Sequence, residues 1–145
     1  MYSDDYFMRK ALDEALIAFE KDEVPVGAVV VAGNSVIARA HNLVETLNDV
    51  TAHAEMQAIT AAATYIGGKY LNECTLYVTV EPCLMCAAAL YWAQIARVVY
   101  GANDTKRGFS LNQPPPLHPT TKITSGILEN ECSNLMTAFF KKKRK

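Results

Sequence analysis

Two short stretches of the chain carry residue types that do chemistry. One is Thr51-Ala52-His53-Ala54-Glu55, a His-x-Glu, and the other is Glu81-Pro82-Cys83-Leu84-Met85-Cys86, a Pro-Cys-x-x-Cys. His53, Cys83 and Cys86 supply one imidazole and two thiolates, a ligand set suited to zinc. Three protein ligands leave a fourth position open for water, as catalytic zinc sites do. Glu55 lies two residues past the histidine, so it can be a nearby base without being a ligand. Hydroxide made at such a site can add to an aromatic ring carbon bearing an exocyclic amine. One carboxylate can take the water proton, pass it to a ring nitrogen and later protonate the leaving amine, given hydrogen-bond reach of both water and base. The products are a carbonyl and ammonia. The competing arrangement is a closed structural site with a fourth ligand from Cys74, Cys132, His41 or His118. Structural sites usually pair two Cys-x-x-Cys-like knuckles, and this chain has one. Cys74 and Cys132 then read as small buried hydrophobes.

Helices and strands must bring these residues together. Met8, Leu12, Ala15, Leu16 and Phe19 recur at helical spacing, which predicts an amphipathic helix over about residues 4–20. Ser3 is its candidate cap, with Asp4 and Asp5 favourable in the first turn. Residues 24–31 are rich in β-branched side chains and predict a buried strand. Residues 32–35 form a turn, and residues 36–40 return as the second strand of a hairpin. Residues 41–50 are polar and irregular. Within them Asn42 carries a carboxamide that could read a base edge, although asparagine more often bonds its own backbone. Thr51 can cap a helix running to about Ile66 and ended by Gly67-Gly68, with His53 and Glu55 in its first turn. Residues 75–80 are a third strand. Pro82 suits the first position of a new helix, which places Cys83 and Cys86 on one face of its opening turn. That position also favours thiolate over thiol. The helix continues to about Gln94, and residues 97–101 are a fourth strand. Residues 102–121, with Gly108, Pro114-Pro115-Pro116 and Pro119, form a long loop of the kind that is often functional. Residues 122–125 predict a short fifth strand, and Leu128, Cys132, Leu135, Met136 and Phe139 mark a final amphipathic helix. The alternation argues for an α/β domain layered α/β/α, with helices on both faces of one sheet.

With 145 residues, 50% of them hydrophobic, the chain has enough material for one domain (1–145) with a full core. No apolar run reaches membrane-spanning length, and the N-terminus lacks a basic-then-apolar signal segment, so a cytoplasmic protein is expected. Two cysteines at Cys-x-x-Cys spacing in a reducing compartment point to metal rather than a disulfide scaffold. The formal net charge of −1 is uneven, since five of the 14 basic residues are Lys141, Lys142, Lys143, Arg144 and Lys145. Such a tail can touch phosphate, although a solvated helix end is the plainer reading.

The His-x-Glu and Pro-Cys-x-x-Cys pair is the signature of zinc nucleobase deaminases. The chain resembles the cytidine-deaminase-like superfamily and, within it, the bacterial tRNA-specific adenosine deaminases. The likeness runs nearly end to end, through residues 23–31, 51–55, 75–86, 97–102 and 126–140 with the basic tail. It implies a five-stranded mixed sheet in a three-layer sandwich, one Zn2+ per subunit, and a homodimer. The implied reaction is conversion of the wobble adenosine of a tRNA anticodon to inosine. His53, Cys83 and Cys86 would bind zinc and Glu55 would shuttle protons. Asn42 matches a base-contacting asparagine, and Val26 and Ala54 match pocket-lining positions. Asp104 and Lys106 match the loop that meets the anticodon stem-loop nucleotides. Phe139, Phe140 and the following lysines match a tail near the RNA. Two stretches depart from the pattern. Asn103-Asp104 replaces an Arg-Asp. Tyr91-Trp92-Ala93-Gln94 replaces a His-Ser pair and is similar to bacterial guanine deaminases, where the tryptophan lies near the base. On residue type alone, Tyr91 and Trp92 are core or interface aromatics. The alternatives are a free-base or nucleoside deaminase acting on guanine or cytosine, and a non-catalytic zinc module that binds RNA.

Overall fold

A computed structural model describes residues 1–144. Lys145, the last residue of the basic tail, lies outside the described residues. The elements run α1 (Asp4–Glu20), β1 (Gly27–Ala32), β2 (Ser35–His41), α2 (Val44–Leu47), α3 (Ala54–Ile66), β3 (Cys74–Val80), α4 (Leu84–Ala93), β4 (Arg97–Ala102), β5 (Lys122–Thr124) and α5 (Glu129–Lys143), with a 3-10 turn at Phe109–Leu111. One sheet has the order β2-β1-β3-β4-β5. β1 pairs antiparallel with β2 and β3, while β3–β4 and β4–β5 are parallel. This is the five-stranded mixed sheet that the resemblance implies.

Strand side chains alternate between two cores. Ala28, Val30, Leu76, Val78 and Val98 pack with Ala58 and Ala62 of α3 and Ala87 and Leu90 of α4. Val29, Val31, Tyr77 and Val99 pack with Phe7, Met8 and Leu12 of α1 and Cys132 of α5. Burial on both faces is why β1 and β3 read as near-continuous apolar runs. Cys74 and Cys132 are buried in these cores, as small hydrophobes would be. Helix α1 begins at Ser3, whose hydroxyl accepts from Tyr6 N–H at 3.2 Å. It lies hard against β1, since a Cβ at Gly27 would overlap the backbone of Ala11 and Ala15. Asp4 ties it to the sheet, accepting from the Tyr77 hydroxyl at 2.7 Å and from both Arg97 Nη atoms at 2.8 and 2.7 Å. The Arg97 guanidinium holds the Asp4 carboxyl below the ordinary range. No helix among the described residues is long and apolar enough to cross a membrane.

Four differences from the sequence expectation are more than a one-residue shift at an element's end. β1 starts at Gly27 rather than Val24, because Pro25 has no N–H to pair and Val26 turns back to Val24 O at 2.8 Å. Residues 44–47 form the short helix α2 inside the stretch expected to be irregular. Thr51 does not cap α3. Its hydroxyl donates to Asp49 at 2.7 Å, and the cap position belongs to His53. Pro82 precedes α4 instead of opening it, and Cys83 holds the cap position. The predicted stop at Gly67 holds, in the left-handed conformation with φ 79°.

Candidate active site

β3 and β4 end, and β1 begins, on the same edge of the fold, where the connections into α3 and α4 also arrive. Backbone bonds stitch these connections together. Asn42 N–H donates to Val26 O at 3.1 Å, and Leu43 N–H to Ala52 O at 3.0 Å. The Gln57 carboxamide donates to His41 O at 2.8 Å and to Ala52 O at 3.2 Å.

His53 and Cys83 are the N-cap residues of α3 and α4, both in extended backbone, and neither side chain caps its own helix. Free of that role, both turn to one point. His53 Nδ1 stands 3.6 Å from Cys83 Sγ and 3.5 Å from Cys86 Sγ. All three donor atoms lie within 4.8 Å of one another. Tetrahedral ligands at zinc's usual N and S bond lengths stand about 3.6 Å apart, so these separations fit one zinc ion. One imidazole with two sulfurs also suits zinc by ligand softness. The Cys83 thiol is held down to about 4, chiefly by the Cys86 hydrogen bond and also by His53. The same proton sharing pushes Cys86 and His53 upward. His53, Cys83 and Cys86 would hold a cation in place of that proton, with both sulfurs as thiolates.

No fourth protein ligand joins them among the described residues. His41 is engaged by Glu14 at 2.9 Å and Lys21 at 3.1 Å, and His118 by Thr120 at 2.7 Å. The closed structural site is therefore not what these residues build. Glu55, in the first turn of α3, is 4% exposed, and its carboxyl lies against the Cys86 thiol. Burial pushes it up to about 7. A carboxyl that titrates near neutral pH can both accept and return a proton.

The other sequence-derived positions fall into two groups. On the connection into α3, Asn42 is bonded to Val26, and Ala54 follows His53 as the first residue of that helix. The Asn42 carboxamide is loosely held, with contacts to Val24 O and Val44 N both at 3.4 Å. Val26 is half-buried and Ala54 fully buried. Asp104 turns one oxygen onto its own loop, accepting from Lys106 and Arg107 N–H at 3.0 Å each, and the Lys106 side chain is exposed. Phe139 is buried against Phe19, and Phe140 is exposed. Phe139 borders a groove of about 490 Å³ with Lys21, Val24, Thr46 and Lys143, and none of the metal-binding residues lines it. Tyr91 and Trp92 are not core residues. Trp92 is 76% exposed, and the two line a separate groove of about 600 Å³ with Tyr70 and His118.

Two buried carboxylates escaped the sequence reading. Glu23 accepts from Thr46 N–H at 2.6 Å, Thr46 Oγ1 at 2.7 Å and Glu45 N–H at 3.1 Å, which fixes the loop after Asn42. Burial pushes its carboxyl up, but those bonds outweigh burial and hold it below the ordinary range. Glu81 accepts from Asp104 N–H at 3.0 Å and Ser110 N–H at 2.9 Å. The available signal was an acidic residue abutting an apolar strand, where only a satisfied carboxylate can sit.

The family model for the zinc-binding region of cytidine and deoxycytidylate deaminases matches residues 1–102. The tRNA-specific adenosine deaminase of Aquifex aeolicus (strain VF5) is 48% identical, over 97% of this chain and 95% of that protein. A solved structure from a study of A-to-I editing by tRNA:A34 deaminases at the wobble position of transfer RNA superposes with a TM-score of 0.84 at 46% identity, covering 90% of this chain and 98% of that one. The guanine deaminase of Bacillus subtilis superposes with a TM-score of 0.69 at 39% identity, covering 72% of this chain and 67% of that one. With the ligand spacing, the matched zinc-binding region and the end-to-end identity in agreement, the chain belongs to the cytidine and deoxycytidylate deaminase zinc-binding family, among the relatives named tRNA-specific adenosine deaminases.

Proposed function

We propose that this zinc-dependent deaminase converts adenosine to inosine at the wobble position of a tRNA anticodon. The observation that carries the reading is the meeting of His53, Cys83 and Cys86 beside a buried Glu55 carboxyl. His53, Cys83 and Cys86 would hold a zinc ion, which would supply a water acidic enough to ionise near neutral pH. Glu55 takes one proton from the water and delivers it to a ring nitrogen of the base. It then takes the second from the hydroxyl added to the ring carbon and gives it to the amine, which leaves as ammonia while the carbonyl forms. Asn42 holds the base edge with its donor and acceptor, and Val26 and Ala54 wall the ring. Asp104, Lys106, Phe139, Phe140 and the basic tail meet the flanking nucleotides. An unpaired anticodon base suits such a pocket, because no duplex has to be opened.

The protein works as a cytoplasmic homodimer. Tyr65, Ile66, Leu84, Tyr91 and Trp92 are exposed on α3 and α4, and apolar side chains left uncovered on two helices support a homodimer. The second reading is a free-base deaminase acting on guanine, favoured by Tyr91-Trp92-Ala93 and by the likeness to the Bacillus subtilis enzyme. Incubation with a tRNA anticodon stem-loop, guanine, cytosine and cytidine separates the two. Inosine in the stem-loop is the expected product. Ammonia from guanine with an unaltered stem-loop overturns the proposal, and ammonia from no substrate at all favours a non-catalytic zinc module.

A further inference from the structure

We propose that Glu81 is a positioning residue, which sets where the loop over residues 104–110 holds the RNA beside the metal centre. The inference rests on the reading of that loop as a substrate contact. Glu81 directly precedes Pro82 and the ligand Cys83, and it is 3% exposed. Its two oxygens clasp the two ends of the loop, Oε1 at Asp104 N–H and Oε2 at Ser110 N–H. Gly108 lies directly over the carboxylate, where a Cβ would overlap both oxygens. The loop is also laid on the ligand segment, through Phe109 N–H to Pro82 O at 3.0 Å and a bridge between Gly108 and Cys83. Phe109 is buried and stacks edge-on to Tyr100 at 5.9 Å, which anchors the loop's inner side.

Clasped this way, the loop buries Gly108 and Phe109 and exposes Thr105, Lys106 and Arg107. Two cations therefore stand on the crest of a loop whose base is fixed to the first sulfur ligand. A carboxylate does this better than an amide. Both partners are N–H donors, and an ionised acceptor makes the stronger bond to each. Glutamine would turn an NH2 group toward one of them. Loss of one such bond loosens the crest, which weakens binding equally in ground and transition states and so raises KM rather than lowering kcat.

Steady-state kinetics on the anticodon stem-loop test this with Glu81→Gln, Gly108→Ala and Lys106→Ala. Glu81→Gln should raise KM about tenfold, keep kcat within about twofold and keep zinc at one per chain. Gly108→Ala should raise KM in the parent and add nothing in a Glu81→Ala background, where the space is open. A packing role alone would lower the melting temperature and leave KM unchanged, which overturns the proposal. So do independent, multiplying effects of the two substitutions. If Lys106→Ala raises KM and Glu81→Gln does not, the proposal falls and the reading of the loop as a substrate contact stands. If Lys106→Ala leaves KM unchanged, both fall. Should Glu81→Gln fail to fold, Gly108→Ala decides alone, and an unchanged KM overturns the proposal.

Discussion

Replacing Glu55 with glutamine keeps the shape of a buried side chain and removes its capacity to carry a proton. At 4% exposure the site has no room to repack, and the near-isosteric amide leaves no cavity. Burial moves the carboxyl from 4.5 to about 7, so both of its protonation states are accessible at neutral pH. General acid–base catalysis contributes about 10²–10⁴-fold, or roughly 3–5 kcal/mol of barrier. One carboxyl asked to make several successive transfers should lie at the upper end, so kcat should fall about 10⁴-fold. Zinc should stay near one per chain, because Glu55 is not among the three donor atoms. The assay is ammonia release from saturating stem-loop, read beside metal content. More than about a tenth of parental kcat with metal in place refutes the role. A second arm tests the burial itself. A carboxyl whose folded value lies above its unfolded one contributes stability that is complete below about 4.5 and is lost as pH rises through about 7. Glutamine does not titrate. In metal-stripped protein, Glu55→Gln should therefore melt above the parent at pH 8, and the gap should close at pH 4. A gap of equal size at both pH values would contradict the buried, raised carboxyl.

His53→Asn removes a ligand and gives α3 a capping side chain. In chelator it should melt about 4 °C above the parent, and zinc should then raise only the parent; an equal response of both to zinc refutes the ligand role. Deleting residues 141–145 should flatten the salt dependence of stem-loop binding, by about 0.7–0.9 in slope for each phosphate the shortened chain leaves unneutralised. An unchanged slope in a salt titration would remove the tail from the RNA interface.

Much of the framework was legible because it is periodic. The apolar spacing of α1 and the stop at Gly67 appear where their residues require them. Two helix starts were misplaced for a common reason. Thr51 and Pro82 are the residue types that open helices, yet in each case the ligand takes the cap position, and Thr51 bonds Asp49 instead. The loop anchors were illegible for a different reason. Glu23 and Glu81 bind N–H groups 22 to 29 residues away in sequence, and no local pattern reports so distant a partner. The core, by contrast, depends only on which strand positions are apolar. Trp92 shows the limit of residue type, since an aromatic suited to a core stands 76% exposed on α4.

The same misplacement explains how the fold supports the chemistry. A helix start leaves N–H groups without partners, and a Ser, Thr, Asp or Asn cap is worth about 1 kcal/mol there. α1 takes that stabilisation through Ser3. α3 and α4 do not, because His53 and Cys83 turn away from their own helices toward a shared point. Both helix starts therefore lie beside the point that the three donor atoms share. Each helix start acts as roughly half a positive charge, which favours thiolate over thiol there. Two helix starts thus give up capping stabilisation where the three donor atoms meet, and a metal held there would restore part of it by favouring the folded arrangement.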